Sequence, residues 1–274
     1  IDIVFPYIAL TGNFFMKNTE VTHGEWEKLM GQSPSSFPGC GPACPIETVS
    51  YIEAAEYLNR LSDRHQLPRC YSIDGSSVAF AGVHCLGFRL PTAAEWEYAA
   101  RANSQLAYSD APNESTSNLC EPDTNLEPRG WYCNNSSLRI HDVAQKQPNR
   151  FGLYDMNGNV REWTESNFDP NYYATLFGRT VDPTGVNATA IKEIRGGGWD
   201  SAALQCRNAA REGLPVSSRS NDLGFRPVRR SFVKIDAGVY QMGSEPNEPF
   251  SLSNERPKRS VFHPRPIYVG PNEI

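Results

Sequence analysis

The stretch "FGLYDMNGNVREW", residues 151–163, places two carboxylates, Asp155 and Glu162, on a loop that is rich in glycine and asparagine. Such a loop can turn its main-chain carbonyls inward, toward the space that the carboxylates share. Hard oxygen ligands of this kind suit Ca²⁺. The stretch therefore indicates either a calcium loop or a hydrogen-bonded turn that holds no ion.

Three capping boxes predict three helices outside this loop. Thr22–Glu25 begins a short helix that runs to about Met30. Ser50–Glu53 begins a longer one that runs to about His65 and ends before Pro68. Thr92–Glu95 begins a third, which runs to about Arg101. From about residue 102 to 230 the pattern is one of short strands and long loops.

Three arginines lie in or beside predicted strands of this second half: Arg195, Arg211 and Arg226. An arginine in a strand such as "GFR" usually holds a carboxylate inside the core. We expect Glu162 or Glu97 to be such a partner, and we expect a structural role for these arginines.

Composition narrows the class of protein. The chain has 274 residues, 39% of them apolar, and a formal net charge of −5. This charge gives no electrostatic footprint for nucleic acid. No apolar run is long enough to span a membrane. Glycine and proline number 21 each, which predicts extensive turn and loop structure.

Cysteine spacing favours an oxidising compartment. Three local pairs are predicted as disulfides, with a metal site or free thiols as alternatives; the pairs are Cys40–Cys44, Cys70–Cys85 and Cys120–Cys133. Cys206 is left over, and we expect it to be a small buried apolar residue. An extracellular or periplasmic location follows as the expectation.

Several motifs together resemble the sulfatase-modifying-factor family, whose namesake is the formylglycine-generating enzyme. They occur in the family's order and are "KNTEVTHGEWEKLMG" (17–31), "CPIETVSYIEAAEYLNRLS" (44–62), "GFRLPTAAEWEYAARA" (87–102), "PNRFGLYDMNGNVREW" (148–163), "RGGGW" (195–199), "CRNAAR" (206–211) and "LGFRPVR" (223–229). The resemblance implies an α+β, C-type-lectin-like fold with little regular secondary structure.

The order of the segments departs from the family at one end. The family's usual first strand and loop match "FVKIDAGVYQMGS", residues 232–244, which here follows the core motifs of residues 14–229. We interpret residues 1–274 as a single, circularly permuted domain, with the head at 232–274 packed on the core. The alternative is a tandem protein cut after the head of its second copy.

The resemblance also implies a calcium set. The family's matching motif binds calcium through its first side chain, two main-chain carbonyls and the final glutamate. Carried over to this chain, the ligands are Asp155, Gly158, Val160 and Glu162.

The family's oxidases bind Cu(I) through two cysteines between "RGG" and "AAR". Here that interval holds Cys206 alone, with Ser201 near the position of the first thiol. A lone thiolate beside a hydroxyl is a poor Cu(I) site, so copper is not expected.

The polar segment 200–222 beside this interval is the expected ligand-binding surface. The candidate residues there are Trp199, Asp200, Ser201, Gln205, Arg207 and Arg219. For Trp199, a role as a core anchor is the alternative.

The leading hypothesis is a non-catalytic, calcium-stabilised secreted module that binds an unknown protein or small molecule. The alternative is an oxidase of the family, which forms formylglycine on a cysteine peptide or oxidises a siderophore chromophore. An accessory subunit of a larger complex is a third possibility. The fold alone does not choose between them.

Overall fold

Each predicted helix begins at its capping box in the computed structural model. The helices are α1 (His23–Met30), α2 (Tyr51–Arg64) and α3 (Ala93–Arg101). In all three, the N-cap side chain accepts from the N3 amide, and the N3 glutamate accepts from the N-cap amide. Two orphan amides at each helix start are thereby satisfied, so local sequence alone determines where these helices begin.

The structure describes residues 7–11, 14–115, 118–176, 178–186 and 189–229, and four later strands. Among the described residues before 230 there are ten strands: β1 (Tyr7–Ala9), β2 (Phe15–Met16), β3 (Tyr71–Asp74), β4 (Ser77–Phe80), β5 (Arg161–Asn167), β6 (Arg179–Val181), β7 (Ile191–Arg195), β8 (Glu212–Pro215), β9 (Leu223–Gly224) and β10 (Val228–Arg229). The later strands are β11 (Val233–Lys234), β12 (Gly238–Met242), β13 (Arg259–His263) and β14 (Tyr268–Val269). Short 3₁₀ helices span Tyr172–Thr175 and Ala203–Cys206.

The sheet that positions the loop of residues 151–163 has the order β8-β7-β5-β9. Strand β5 follows the loop directly; it pairs antiparallel with β7 and parallel with β9. Helix α3 packs against β5 and β7. Trp96 of α3 and Trp163 of β5 are both fully buried, in two different hydrophobic clusters. The loop is therefore anchored at the edge of the main hydrophobic core.

The three arginines are buried against carboxylates, as the sequence predicts. Arg226 binds Glu162, Arg195 binds Glu97, and Arg211 binds Glu193. All six side chains are almost completely inaccessible to solvent. Their pairing keeps charges in the core without leaving any of them isolated.

The C-terminal strands pair with the beginning of the chain. A second four-stranded sheet has the order β12-β13-β1-β6, in which β1 and β13 are parallel. Strand β12 lies against α3, while β11 and β14 lie near β2. The packing of 232–274 as a whole on the core stays a prediction, because only these four strands of it are described. The permuted order and the single-domain boundaries stay predictions, and the head's loop, residues 243–258, lies outside the described residues.

The three predicted disulfides are present, and Cys206 is free and buried. The 70–85 disulfide closes the hairpin formed by β3 and β4. In the part of the chain that the structure describes, no helix combines the length and apolarity needed to cross a membrane.

Candidate functional site

The predicted calcium loop has a backbone that folds tightly around buried polar groups. Asp155, Gly158 and Asn159 all have positive φ, at 58°, 124° and 65°. A side chain at Gly158 would bring a Cβ to 2.3 Å from the carbonyl oxygen of Trp131. Only glycine allows this approach, which explains the glycine in "NGN".

Asp155 lies at the centre of this loop and is 1% exposed. Its Oδ2 accepts from the amide of Ala144 at 2.7 Å. Its Oδ1 is buried and has no hydrogen-bond partner within the described residues. Burial raises the pKa of this carboxyl to about 6. One oxygen of Asp155 is thus available for a proton or a cation.

Glu20 is a second carboxylate at this place, and the sequence did not mark it. It is fully buried, and neither of its oxygens has a hydrogen-bond partner among the described residues. Arg226 is an ion-pair partner of Glu20 among the described residues, and its Nη2 lies 3.9 Å from Oε2. Burial, and then the negative charge of Asp155, raise the pKa of Glu20 well above its usual range. Two neighbouring buried carboxylates cannot both ionise unless a cation compensates them.

Glu162, the last residue of the predicted calcium set, has its oxygens engaged by protein groups. Oε1 accepts from Arg226 Nε at 2.9 Å and Nη2 at 2.6 Å. Oε2 accepts from Trp96 Nε1 at 2.8 Å. Asp155 therefore fits a calcium ion better than Glu162 does, and Glu20 offers the carboxylate that Glu162 does not leave free.

A second place that could hold an ion lies near the Cys40–Cys44 loop. Among the described residues, Cys40, Cys44 and Asp142 are the sole set of three or more such groups with ligand atoms within 4.8 Å of one another. Because Cys40 and Cys44 form a disulfide, their sulfurs are not thiolate ligands in this structure.

Cys206 lies beneath the glycine-rich turn that follows β7. It is fully buried, and burial raises the pKa of its thiol. A Cβ at Gly197 would come within 2.6 Å of its Sγ, so the turn packs directly on the sulfur. Ser201 Oγ accepts from the amide of Gly198 at 2.9 Å. The other six cysteines are paired in disulfides, so this site has one thiol and a hydroxyl engaged in a turn.

The predicted ligand-binding residues do not form one surface. Ser201 and Arg207 are buried, and Arg207 Nε donates to the carbonyl of Leu204. Gln205 is exposed and lines a cavity of about 120 Å³ with Arg161 and Arg195. Arg219 is exposed and pairs with Glu53 at 2.7 Å.

The other two candidates, Trp199 and Asp200, are consecutive residues in the turn that follows Gly198. Asp200 is exposed, and partial burial followed by the charge of Asp222 raises the pKa of its carboxyl. Trp199 is 8% exposed, and its Nε1 donates to the carbonyl of Asn221. Its ring meets Phe37 edge to face, with centroids 5.7 Å apart. Trp199 is thus a core anchor that supports Phe37.

Phe37 belongs to a cavity that the sequence did not indicate. The cavity has a volume of about 560 Å³, within the range of small-molecule sites. It is lined by Phe37, Gly39, Cys40, Trp131, Arg139, Ile140, His141, Asp142 and Gln145. The polar segment that contains Trp131 and His141 was the one sequence feature that could have indicated this cavity. It gave no indication that Phe37 lies beside it.

A family model described as "Sulfatase-modifying factor enzyme 1-like domain" matches residues 8–231 of the chain. "Chaperone protein LppX" of Paenibacillus barcinonensis is 30% identical over 235 residues, covering 77% of both chains. "Formylglycine-generating enzyme" of Mycobacterium tuberculosis is 31% identical over 223 residues, covering 71% of this chain and 72% of its own.

Two further similarities are informative. "Inactive C-alpha-formylglycine-generating enzyme 2" of Mus musculus is 32% identical over 154 residues, covering 53% of this chain and 45% of its own. The solved structure "Treponema denticola variable protein 1" superposes with a TM-score of 0.69 at 28% identity, covering 80% of this chain and 84% of that one.

Proposed function

The chain belongs to the sulfatase-modifying factor enzyme 1-like family, and from this premise we propose that it is a non-catalytic member that acts as a binding module. The observation that carries the proposal is the state of the cysteines. Copper oxidase chemistry in this family needs two thiolates, and a pair of soft ligands is what holds Cu(I).

This chain does not offer that pair. Cys206 is fully buried beneath Gly197, and its raised pKa keeps the thiol protonated at neutral pH. Ser201 stands near the other thiol position, and its hydroxyl accepts a main-chain hydrogen bond. The remaining cysteines are in disulfides. Two relatives agree with this interpretation, since one is named an inactive enzyme and another a chaperone protein, whereas the relative from Mycobacterium tuberculosis is named a formylglycine-generating enzyme.

We further propose that calcium stabilises the fold at the loop of residues 151–163. The side chains that would hold the ion are Asp155 and Glu20, with the carbonyls of Gly158 and Val160. Glu162 would act mainly through Arg226, because its oxygens already accept from Arg226 and Trp96. The ion would supply positive charge beside two buried carboxylates, because both oxygens of Glu20 and Oδ1 of Asp155 have no hydrogen-bond partner among the described residues.

The proposed location is extracellular or periplasmic. Its support is that the chain carries three disulfides, each closing a loop of at most 15 residues. Disulfides of this kind form and persist in oxidising compartments.

The proposal is tested by copper uptake and oxygen consumption. Purified protein is loaded with Cu(I) under anaerobic conditions, desalted against a chelator and analysed for metal; oxygen consumption is then followed with a cysteine-containing peptide. We expect no retained copper and no peptide-dependent oxygen consumption. One copper per chain that is lost in Cys206→Ser, together with peptide oxidation, would instead assign the protein to the oxidases.

A further inference from the structure

The cavity of about 560 Å³ is lined by Trp131 and His141, two members of a three-layer stack. The His141 ring lies parallel to the Trp131 ring, with centroids 3.7 Å apart and planes 13° apart. Lys146 Nζ lies 3.8 Å from the centre of the same tryptophan ring. Two groups this close to one ring centre must occupy opposite faces. Both faces of Trp131 are therefore covered, and the outer face of His141 is the one left for a ligand.

The His141 ring is held in place from several directions. Its Nε2 lies 2.7 Å from the carbonyl oxygen of Ser136, to which it donates. Burial lowers the pKa of the ring, so it is neutral at pH 7 and its Nδ1 is a hydrogen-bond acceptor. The platform is thus an uncharged aromatic face with a fixed orientation.

Asn159 of the "NGN" loop connects this platform to the rest of the cavity. Its side chain accepts from the amide of His141 at 3.0 Å and donates to the carbonyl of His141 at 3.1 Å. Its own amide donates to the carbonyl of Trp131 at 2.7 Å, and its carbonyl accepts from the amide of Trp199 at 2.8 Å. One buried asparagine therefore fixes all three aromatic residues in register.

The part of the cavity wall that contains Phe37 and Cys40 is also constrained. The Cys40–Cys44 disulfide closes the loop that follows Phe37. The Phe37 ring is held edge to face on Trp199. A ligand entering this cavity would meet walls that are already ordered, so it would lose little free energy in organising them.

Three polar side chains at the cavity are available to a ligand: Arg139, Asp142 and Gln145. Within the described part of the chain, the side chains of Arg139 and Gln145 make no hydrogen bond or ion pair. The Asp142 carboxylate has Cys44 Sγ at 3.2 Å, but a disulfide sulfur carries no hydrogen to donate. The Arg139 guanidinium donates hydrogen bonds, the Asp142 carboxylate accepts them, and the Gln145 amide does both.

We propose that this cavity binds a neutral saccharide, a step that rests on the proposed function as a binding module. A pyranose ring has a face of C–H groups with partial positive charge, which suits the negative face of an aromatic ring. Its rim of hydroxyls both donates and accepts, which suits Arg139, Asp142 and Gln145. The positive charge of Arg139 and the negative charge of Asp142 partly cancel at the cavity. A ligand with a net charge of either sign would therefore gain little electrostatic binding energy.

The rival occupant is a free amino acid, whose carboxylate and ammonium groups could bind Arg139 and Asp142. Both charged side chains are exposed, however, and ion pairs formed in water contribute little affinity. A saccharide does not depend on such ion pairs, because its apolar face is covered by the platform and its hydroxyls are bound at the rim.

The experiment is a ligand-observed saturation-transfer NMR screen of the full chain, combined with a glycan array. The probes are common hexoses, N-acetylhexosamines and their disaccharides, with L-phenylalanine and L-glutamate as the rival class. The test variants are Asp142→Asn and Gln145→Ala, both at exposed positions. Asp74→Asn, on the exposed side of β3, is the matched control.

We expect at least one saccharide to bind, with affinity about tenfold weaker in each test variant and unchanged in the control. The proposal is overturned if no saccharide binds, if binding is unaffected by both substitutions, or if the amino acids bind in its place. If no saccharide binds and the protein also shows no copper-dependent oxidation, the saccharide proposal fails but the assignment as a non-catalytic protein stands. Copper-dependent peptide oxidation overturns that assignment whatever the sugar screen gives.

Discussion

Arg226 and Glu162 form a fully buried ion pair in which Nε and Nη2 of the arginine both donate to the glutamate, at 2.9 and 2.6 Å from Oε1. Arg226 Nη2 also donates to the carbonyl of Tyr154 at 3.0 Å. The pair therefore ties β5 and the end of β9 to the loop that contains Asp155, and it lies between the core and the candidate metal site.

Replacing Arg226 with methionine should destabilise the protein strongly, because Glu162 would keep a buried charge without its partner. The expected loss is about 3–5 kcal/mol in the free energy of unfolding. Urea denaturation monitored by tryptophan fluorescence measures it. The control is Arg60→Ala, which removes an exposed i,i+4 pair with Glu56 and should change stability little. Equal effects of the two substitutions would contradict the buried pair.

The free energy of unfolding of the metal-free protein should fall as pH rises through the range in which Asp155 ionises. Its pKa is raised from 3.8 to about 6 in the folded state, so the folded protein binds more protons than the unfolded chain between these values. Stability due to this group is therefore lost as pH rises from about 4 to 6, by roughly 3 kcal/mol.

The measurement is the unfolding free energy in a chelator at several pH values, for the wild type and Asp155→Asn. The wild type should lose stability relative to the variant as pH rises. A wild type that gains stability relative to Asp155→Asn over this range would show that Asp155 is better solvated or better paired than its contacts indicate.

Calcium should restore, at neutral pH, the stability that is lost when Asp155 ionises, because the ion binds the ionised carboxylates. At about 100 times its dissociation constant, a single bound ion stabilises the folded state by about 2.7 kcal/mol. Differential scanning fluorimetry with calcium or a chelator should show a higher Tm with calcium in the wild type, and a smaller shift in Glu20→Gln and Asp155→Asn. Asp74→Asn should respond as the wild type does. A Tm that is indifferent to calcium in the wild type would refute the site.

The Cys70–Cys85 disulfide should contribute more to stability than Cys40–Cys44. It joins residues 15 apart, whereas the other joins residues 4 apart. The loop-entropy model gives about 3 kcal/mol for the former and about 2 kcal/mol for the latter. Paired Cys→Ala substitutions, compared by urea denaturation, test the order. Should removal of the short bridge cost more, that bridge would be holding native structure and not merely restricting the unfolded chain.

The local elements of this protein were determined by the sequence alone. Each capping box is a contact between residues three apart, so the starts of α1, α2 and α3 follow from the chain itself. The close cysteine pairs and the β3–β4 hairpin also join residues that are near one another in the sequence. The motifs also specified the family, and they predicted that Arg226 would be buried against a carboxylate such as Glu162.

The sites were decided by the tertiary structure. Glu20 becomes a candidate ligand only because residues 225–227 pack against the segment before α1. Both oxygens of Glu20 are then buried without a hydrogen-bond donor. The cavity needs Phe37, Trp131 and His141, which three loops bring together. Asn159 holds Trp131 and His141 by hydrogen bonds, and Phe37 packs on Trp199. Capping and hairpin formation act over a few residues and leave a readable pattern. Burial and desolvation depend on which distant segments meet, and no local pattern records that.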